Sequence, residues 1–454
     1  MTVLSNAPGP GGGFIFGSAT IMYQRPLERM IADMQRFGPV VRYRFLRTPI
    51  YFLSHPEGVE RVLHSNHSNY NKDNFDYQML RRLLGDGLLT AENPLWLRQR
   101  RLIQPMFHRQ RIAGFGSIMT DEASHMVSEW QTRLGPGEPF DVSVEMMRVT
   151  LRIVSRALLD LDIGDDAATI AEALGVVVRF FGTSAISLLL PFLPTAHNRQ
   201  VKRATRTLRG LVDRIVAERV REGRDHGDLL SMLLAARDAE TGQAMAPTQI
   251  RDEVLTLLLA GHETTANALA WTFFLLADAP EVDGKLRSEL DQVLGGRAPT
   301  VDDLPRLPYL AMVVQESMRL YPPAWAISRA VIADDEIMGY LIPAGSNVLL
   351  SQWVTHRHPD FWNDPNRFDP ERFSPDAIAQ RPRYAYFPFG GGPRLCIGEQ
   401  FALVEARLIL ASVLQNYRLR LAQDHPVEPE PLVTLRPRDG ILMTLEAVRR
   451  AAAA

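Results

Sequence analysis

Apolar and polar positions along this chain follow two different periods. Near the start, Val41, Tyr43 and Phe45 alternate with Arg42 and Arg44, and Ile50-Tyr51-Phe52-Leu53 follows a turn-like Arg47-Thr48-Pro49. A period of two with β-branched and aromatic residues predicts a pair of short strands. His55-Pro56 ends the pair, and residues 57–64 read as a helix entered through a proline. From about Leu95 to Leu294 the apolar spacing becomes three and four, with clear helical stretches at Met146–Leu159 and Leu208–Arg221. Asp252–Leu276 has few breakers in about 25 residues, enough for roughly 37 Å of helix, and its apolar middle predicts passage through the core. Pro305–Leu320 predicts another helix, stopped by Pro322-Pro323. Strand-like pieces follow at Ile337–Ile342 and Val348–Leu350, and a last long helix is expected over Gly398–Asn416. Leu432–Leu435 and Leu442–Leu445 flank Asp439-Gly440, a hairpin signal.

These elements predict a mainly α chain: one helix-rich domain with small sheets at one side. Residues 1–34, with their Pro8-Gly9-Pro10-Gly11 run, read as a partly flexible arm, 35–446 as the domain and 447–454 as a frayed tail. No internal repeat or splitting linker is visible. Residues Trp353–Arg394 are rich in Pro, Asp, Arg and aromatics without periodicity. A loop of about 40 residues inside a compact domain is uncommon and usually functional.

Composition narrows the class. The 454 residues carry 50 basic and 52 acidic side chains, 46% are apolar, and the formal charge is −2, which excludes a disordered tail or a polybasic nucleic-acid binder. The one cysteine, Cys396, excludes an intramolecular disulfide, a zinc site with several Cys ligands and a cysteine-ligated iron–sulfur cluster. The nearest approach to a membrane span, Phe180–Asn198, is broken by Pro191 and Pro194, so no transmembrane anchor is expected. The N-terminus has no signal-peptide pattern, and a cytoplasmic monomer is expected.

The cysteine lies in Phe389-Gly-Gly-Gly-Pro-Arg-Leu-Cys-Ile-Gly398. Glycines leave backbone N–H groups uncovered near the sulfur, Arg394 adds a fixed positive charge, and the helix beginning near Gly398 points its positive end at the thiol. All three favour the thiolate, which in such a setting suits a soft metal better than a nucleophile lacking a histidine base. In the long central helix, Ala260-Gly-His-Glu-Thr-Thr265 places a small residue, Gly261, beside an acid and a hydroxyl, Glu263 and Thr264. Paired threonines in mid-helix are mildly unfavourable, which favours a functional role.

Around Cys396 the sequence resembles the cytochrome P450 superfamily of haem-thiolate monooxygenases, soluble bacterial type. The pattern F-x-x-G-x-R-x-C-x-G is matched at Phe389, Gly392, Arg394, Cys396 and Gly398. Ala260–Thr265 is similar to the family's oxygen-activation motif, Glu316-Ser-Met-Arg319 to its E-x-x-R, Phe368-Asp-Pro-Glu-Arg372-Phe to its P-x-R-F element, and Trp96-Leu-Arg-Gln-Arg100 to its W-x-x-x-R. The resemblance covers about residues 35–445.

It implies haem b between the central helix and the Cys loop, with Cys396 as axial iron ligand and O₂ as co-substrate. It implies that Trp96, Arg100, Arg329 and Arg394 face the propionates, that Glu316, Arg319 and Arg372 brace the loop before the cysteine, and that Thr264, Glu263 and Gly261 serve oxygen activation. One oxygen atom would be inserted into a C–H bond of an apolar substrate walled by Leu88, Leu89, Leu259, Ala260, Ala326 and Ile327. The motif wording points first to a long-chain fatty acid or similar lipid, and second to a terpenoid or polyketide. The Glu263-Thr264 pair argues against a peroxide-fed peroxygenase and would be idle in a non-turnover haem sensor. The chain shows no flavin or NAD fingerprint, so electrons are expected from a separate ferredoxin or flavodoxin with its reductase. Arg98, Arg100, Arg101, Arg109 and Arg111 form a basic cluster that could dock such an acidic carrier or be an ordinary solvated face.

Overall fold

The computed structural model describes residues 5–11, 18, 25–135, 137–161, 166–179, 195–238 and 240–448. Residues 180–194, most of the stretch nearest to a membrane span, lie outside the described residues. The chain forms two compact units, Met1–Arg82 with Met318–Cys396, and Leu83–Ser317 with Ile397–Ala454. Neither is contiguous in sequence, so no single linker divides the chain.

The first unit is built on a five-stranded sheet. Val40–Phe45 and Thr48–Leu53 form the expected antiparallel pair, in register from Val40 opposite Leu53 to Phe45 opposite Thr48. The turn falls at Leu46-Arg47 with Leu46 at φ 53°, and the second strand begins two residues earlier than expected, because Pro49 is tolerated near the start of its strand before the next partner begins at Ile50. Thr48–Leu53 then pairs in parallel with Asn347–Leu350, which pairs antiparallel with Ile327–Val331, and Tyr70–Asn71 closes the edge. Val40, Tyr51, Leu53, Val59, Val348, Leu350 and Phe387 make its core.

Two expectations need correction in this unit. The arm is shorter than predicted, since Pro26–Phe37 is a helix that buries Leu27, Met30 and Met34. Ile337–Ile342 is not one strand. It is the tip of a hairpin, Asp335–Ile337 against Tyr340–Ile342, turned by Met338 and Gly339 at φ 50° and 80°.

The second unit is helical. Its axis is a 31-residue helix, Pro247–Ala277, five residues longer at its start than expected because Pro247 can open a first turn made of polar residues. It packs along Val142–Leu159, and Trp271, fully buried, donates its indole N–H to the Leu435 carbonyl at 3.1 Å. The final helix is Glu399–Leu414. The expected Asp439-Gly440 hairpin does not form. Leu442–Ala447 pairs instead with Tyr417–Leu421 and Phe140–Asp141, while Leu435–Pro437 pairs with Pro429–Pro431. Gly440 still needs its glycine, being at φ 77° against the Asp141 carboxylate, which accepts the Ser143 and Ile441 amides. Among the described residues no helix is long and apolar enough to cross a membrane.

Candidate active site

The cysteine loop is held from within the first unit. Cys396 donates its amide to the Phe389 carbonyl at 3.0 Å, and Leu395 to Gly392 at 3.1 Å. Gly392, at φ 63°, lies so close to the Leu63 carbonyl that a Cβ would stand 1.7 Å from its oxygen. No other residue fits there without moving backbone. The loop is therefore rigid while Cys396 itself is exposed, with Phe389, Arg394 and Gly398 all half-buried.

The irregular segment before it is ordered by buried cations. Arg319, fully buried, donates to the carbonyls of His356, Pro365 and Arg367 at 2.8, 2.7 and 3.1 Å, and its guanidinium lies 4.9 Å from the Trp362 ring centre. A planar fork serves several carbonyls at once in a way an ammonium cannot. His356 accepts the Phe387 amide at 2.9 Å, and burial beside Arg319 and Arg357 holds its imidazole neutral. Arg372 donates to the Asp364 carbonyl at 2.9 Å, and Glu316 is fully buried one turn before Arg319.

Arg329 is 7% exposed, and its donors go to neutral groups, the Tyr77 hydroxyl at 3.0 Å and the Ser328 carbonyl at 2.7 Å. No carboxylate pairs with it among the described residues. Lys72, also buried, sits 5.0 Å over the same Tyr77 ring. Asp76 accepts from Ser328 at 2.8 Å, and burial raises its pKa. A buried guanidinium with neutral partners is a place for an added anion. Sequence reasoning found Arg329 but not Lys72 and Tyr77, which carry no motif.

In the second unit the central helix carries the other motif. Ala260 is exposed, and Gly261 and Thr264 half-buried, in the middle of an otherwise buried helix. A Cβ on Gly261 would meet Val154 at 3.1 Å. Thr264 donates to the Ala260 carbonyl at 2.6 Å, the i−4 bond that spares a mid-helix hydroxyl from being unsatisfied. Glu263 is buried and accepts the Thr434 hydroxyl at 2.5 Å, which in turn accepts from Asn267. Burial raises the Glu263 pKa, opposed by Thr434 and Arg436. Thr434 lies 171 positions away, and no local signal pointed to it. Neighbouring His262 is buried and neutral, its pKa pushed down to about 4.

Trp96 is buried and Arg100 half-buried on the helix Leu95–Ile103. The basic cluster beside them is partly spent. Arg101 pairs with Glu240 and, at 3.5 Å, with Asp238, and Arg98 donates to the Ala244 carbonyl, so these two grip a loop of their own unit. Arg109 and Arg111 remain exposed. Of the expected substrate wall, Leu88, Leu89, Leu259 and Ala260 belong to the second unit, with Leu88 and Leu259 nearly covered. Ala326 and Ile327 belong to the first and are half-buried.

An exposed thiol on a rigid glycine loop and a buried arginine with neutral partners fit a haem with its thiolate ligand and propionates. That defines the class as haem-thiolate proteins. The sequence pattern described as Cytochrome P450 matches residues 7–444, and the chain belongs to that family. It is 40% identical over 94% of its length to cyclooctatin synthase of Streptomyces melanosporofaciens, of which 92% is covered. Cyclooctat-9-en-7-ol 5-monooxygenase of the same organism is 38% identical, covering 90% of this chain and 89% of that one. Pentalenene oxygenase of Streptomyces avermitilis is 34% identical, with 94% of each covered. The crystal structure of cytochrome P450DA heme domain superposes with a TM-score of 0.88 at 28% identity, over 98% of this chain and 99% of that one. The protein is a cytochrome P450 monooxygenase with a haem-thiolate cofactor.

Proposed function

We propose that this monooxygenase hydroxylates a cyclic terpenoid. The observation that carries the reading is the agreement of three relatives, 34–40% identical over most of both chains, named for cyclooctatin, cyclooctat-9-en-7-ol and pentalenene. It favours a terpenoid over the long-chain fatty acid to which the motif wording points first.

Cys396 would be the axial ligand, framed by Phe389 and Gly398, and Trp96, Arg100, Arg329 and Arg394 would hold the propionates. When bound, the haem supplies O₂ binding and its reductive activation. The chain's own residues handle position and protons. Gly261 leaves the helix surface low beside exposed Ala260. The Thr264 hydroxyl is committed to the Ala260 carbonyl, so it delivers a hydrogen bond elsewhere by rotating off that acceptor. Glu263, whose pKa burial raises, accepts the Thr434 hydroxyl and is the candidate proton carrier beside Thr264. Glu316, Arg319 and Arg372 keep the cysteine loop in place. Leu88, Leu89, Leu259, Ala260, Ala326 and Ile327 present apolar surface to the substrate. A separate ferredoxin or flavodoxin, with its reductase, supplies the electrons, with Arg109 and Arg111 as candidate contacts.

The test is a haem spin-state titration with cyclic terpene hydrocarbons and alcohols against palmitic acid, followed by product analysis with a surrogate ferredoxin system. A spin shift and hydroxylated product with terpenes alone is expected. Turnover of palmitic acid with no response to terpenes overturns the reading.

A further inference from the structure

The central helix carries a buried acid that the oxygen chemistry does not use. Glu253 is fully buried, and its Oε2 accepts the amide of Leu88 at 2.9 Å. The preceding residue, Asp252, accepts the amide of Asp86 at 3.1 Å. These two carboxyls take alternate amides of one turn, residues 85–89. The turn is closed on itself by Thr90, whose hydroxyl donates to the Gly85 carbonyl at 2.6 Å and whose amide donates to Gly87 at 3.0 Å. Gln99 takes up the Asp86 carbonyl at 2.7 Å.

The fit against the helix is close. A Cβ at position 87 would stand 2.2 Å from the Thr256 hydroxyl and 2.7 Å from the Asp252 backbone carbonyl, which cannot yield. Gly85, at φ 79°, faces the Asp252 carboxylate in the same way. The turn thus lies flat on one helix face, and the next side chains, Leu88 and Leu89, emerge at a height and angle fixed by that seat.

We infer that Glu253 is a positioning residue that sets where Leu88 and Leu89 stand along the central helix, and so fixes the wall of the substrate pocket. The inference rests on the reading of Leu88 and Leu89 as substrate contacts. Burial beside Asp252 pushes the Glu253 pKa up to about 8, against the pull of the Leu88 amide, so at neutral pH its side chain is a neutral acceptor. Glutamine reproduces that, whereas alanine or methionine leaves the Leu88 amide buried without a partner.

The experiment compares affinity for 4-phenylimidazole with affinity for imidazole in the haem-loaded protein, by optical titration. Both ligate iron, and only the phenyl ring senses the wall. Glu253→Ala, and Glu253→Met to keep the volume filled, should lower the affinity ratio about fivefold or more, as expected for an amide left unpaired. They should also speed hydrogen exchange across residues 85–91 while the reduced CO band stays intact. Glu253→Gln should stay within about twofold of the parent, since it keeps the acceptor. Leu89→Ala is the control. If it shifts the ratio and neither the Ala nor the Met variant at 253 does, Glu253 is not the positioning residue and the pocket reading stands. If Leu89→Ala shifts nothing, the wall assignment itself fails, and this inference with it.

Discussion

Glu253 also makes the fold's stability depend on pH in a way that one substitution isolates. Its carboxyl titrates near 4.5 when exposed and near 8 in the folded chain, chiefly through burial. A raised folded-state pKa means that the acid's contribution is fully present below pH 4.5 and is lost as pH rises towards 8, where the buried group must ionise or the fold must open. Each pH unit in that window costs about 1.4 kcal/mol, so the total is on the order of 5 kcal/mol. Glu253→Gln cannot ionise and keeps the Leu88 contact. Titrations not coupled to Glu253 cancel in the difference between the two proteins. For a chain of 454 residues, about 1 kcal/mol moves the melting temperature by roughly 1 °C. Calorimetry should therefore find the two within about 1 °C of each other at pH 5, with the glutamine variant ahead by roughly 3 °C at pH 7 and about 5 °C above pH 8. A difference that stays constant from pH 5 to pH 8.5 would refute the argument, because it would mean that Glu253 is ionised, or reached by water, throughout.

Three further outcomes follow from the same geometry. Cys396→Ser should abolish the thiolate-type absorption of the reduced CO complex, and an unchanged band would remove Cys396 as the ligand. Thr264→Ala should retain haem and substrate binding while diverting most reducing equivalents to peroxide, measured as hydroxylated product per NADPH; full coupling would remove Thr264 from oxygen activation. Arg319→Leu breaks three hydrogen bonds from a buried charge to backbone carbonyls, worth about 1.5–3 kcal/mol each. Little or no haem-loaded protein should be recovered, and normal loading with an unchanged melting temperature would contradict the bracing role.

The contrast between two Xaa-Gly dipeptides shows what the chain reveals locally and what it does not. Asp439-Gly440 looked like the stronger hairpin signal, yet Leu442–Ala447 takes Tyr417–Leu421 and Phe140–Asp141 as partners. Met338-Gly339 lies inside an apolar run and is the real two-residue turn. Turn chemistry proposes a hairpin, but the pairing is decided by which strands lie alongside, and that is long-range. The site divides in the same way. Cys396, Thr264 and Arg319 were legible because their neighbours in sequence carry the pattern. Thr434, which holds Glu263, and Glu253, which holds Leu88, were not, since each acts across more than 160 positions. The acceptors of Arg319 are main-chain carbonyls, which leave no mark in a sequence at all.

The central helix departs from a simple core helix at every point where a function can be attached. Its middle is apolar enough to be buried by leucine and alanine alone, yet Glu253, His262, Glu263 and Thr265 are buried along it. Each costs free energy that an aliphatic side chain would not. Desolvation opposes charge on the titratable ones, raising the pKa of both acids and lowering that of the histidine. Burial also raises the pKa of Glu405 on the final helix, fully buried with Thr265 beside it. Glu263 lies next to the exposed Ala260–Thr264 face, so the desolvation that opposes its charge favours a proton beside that face. Raising the pH therefore acts on three buried carboxyls, Glu253 and Glu263 on this helix and Glu405 on the final one. Of the two on the central helix only Glu263 adjoins the Gly261–Thr264 turn, so the cost of ionising Glu253 can be read separately from any proton delivery at that turn.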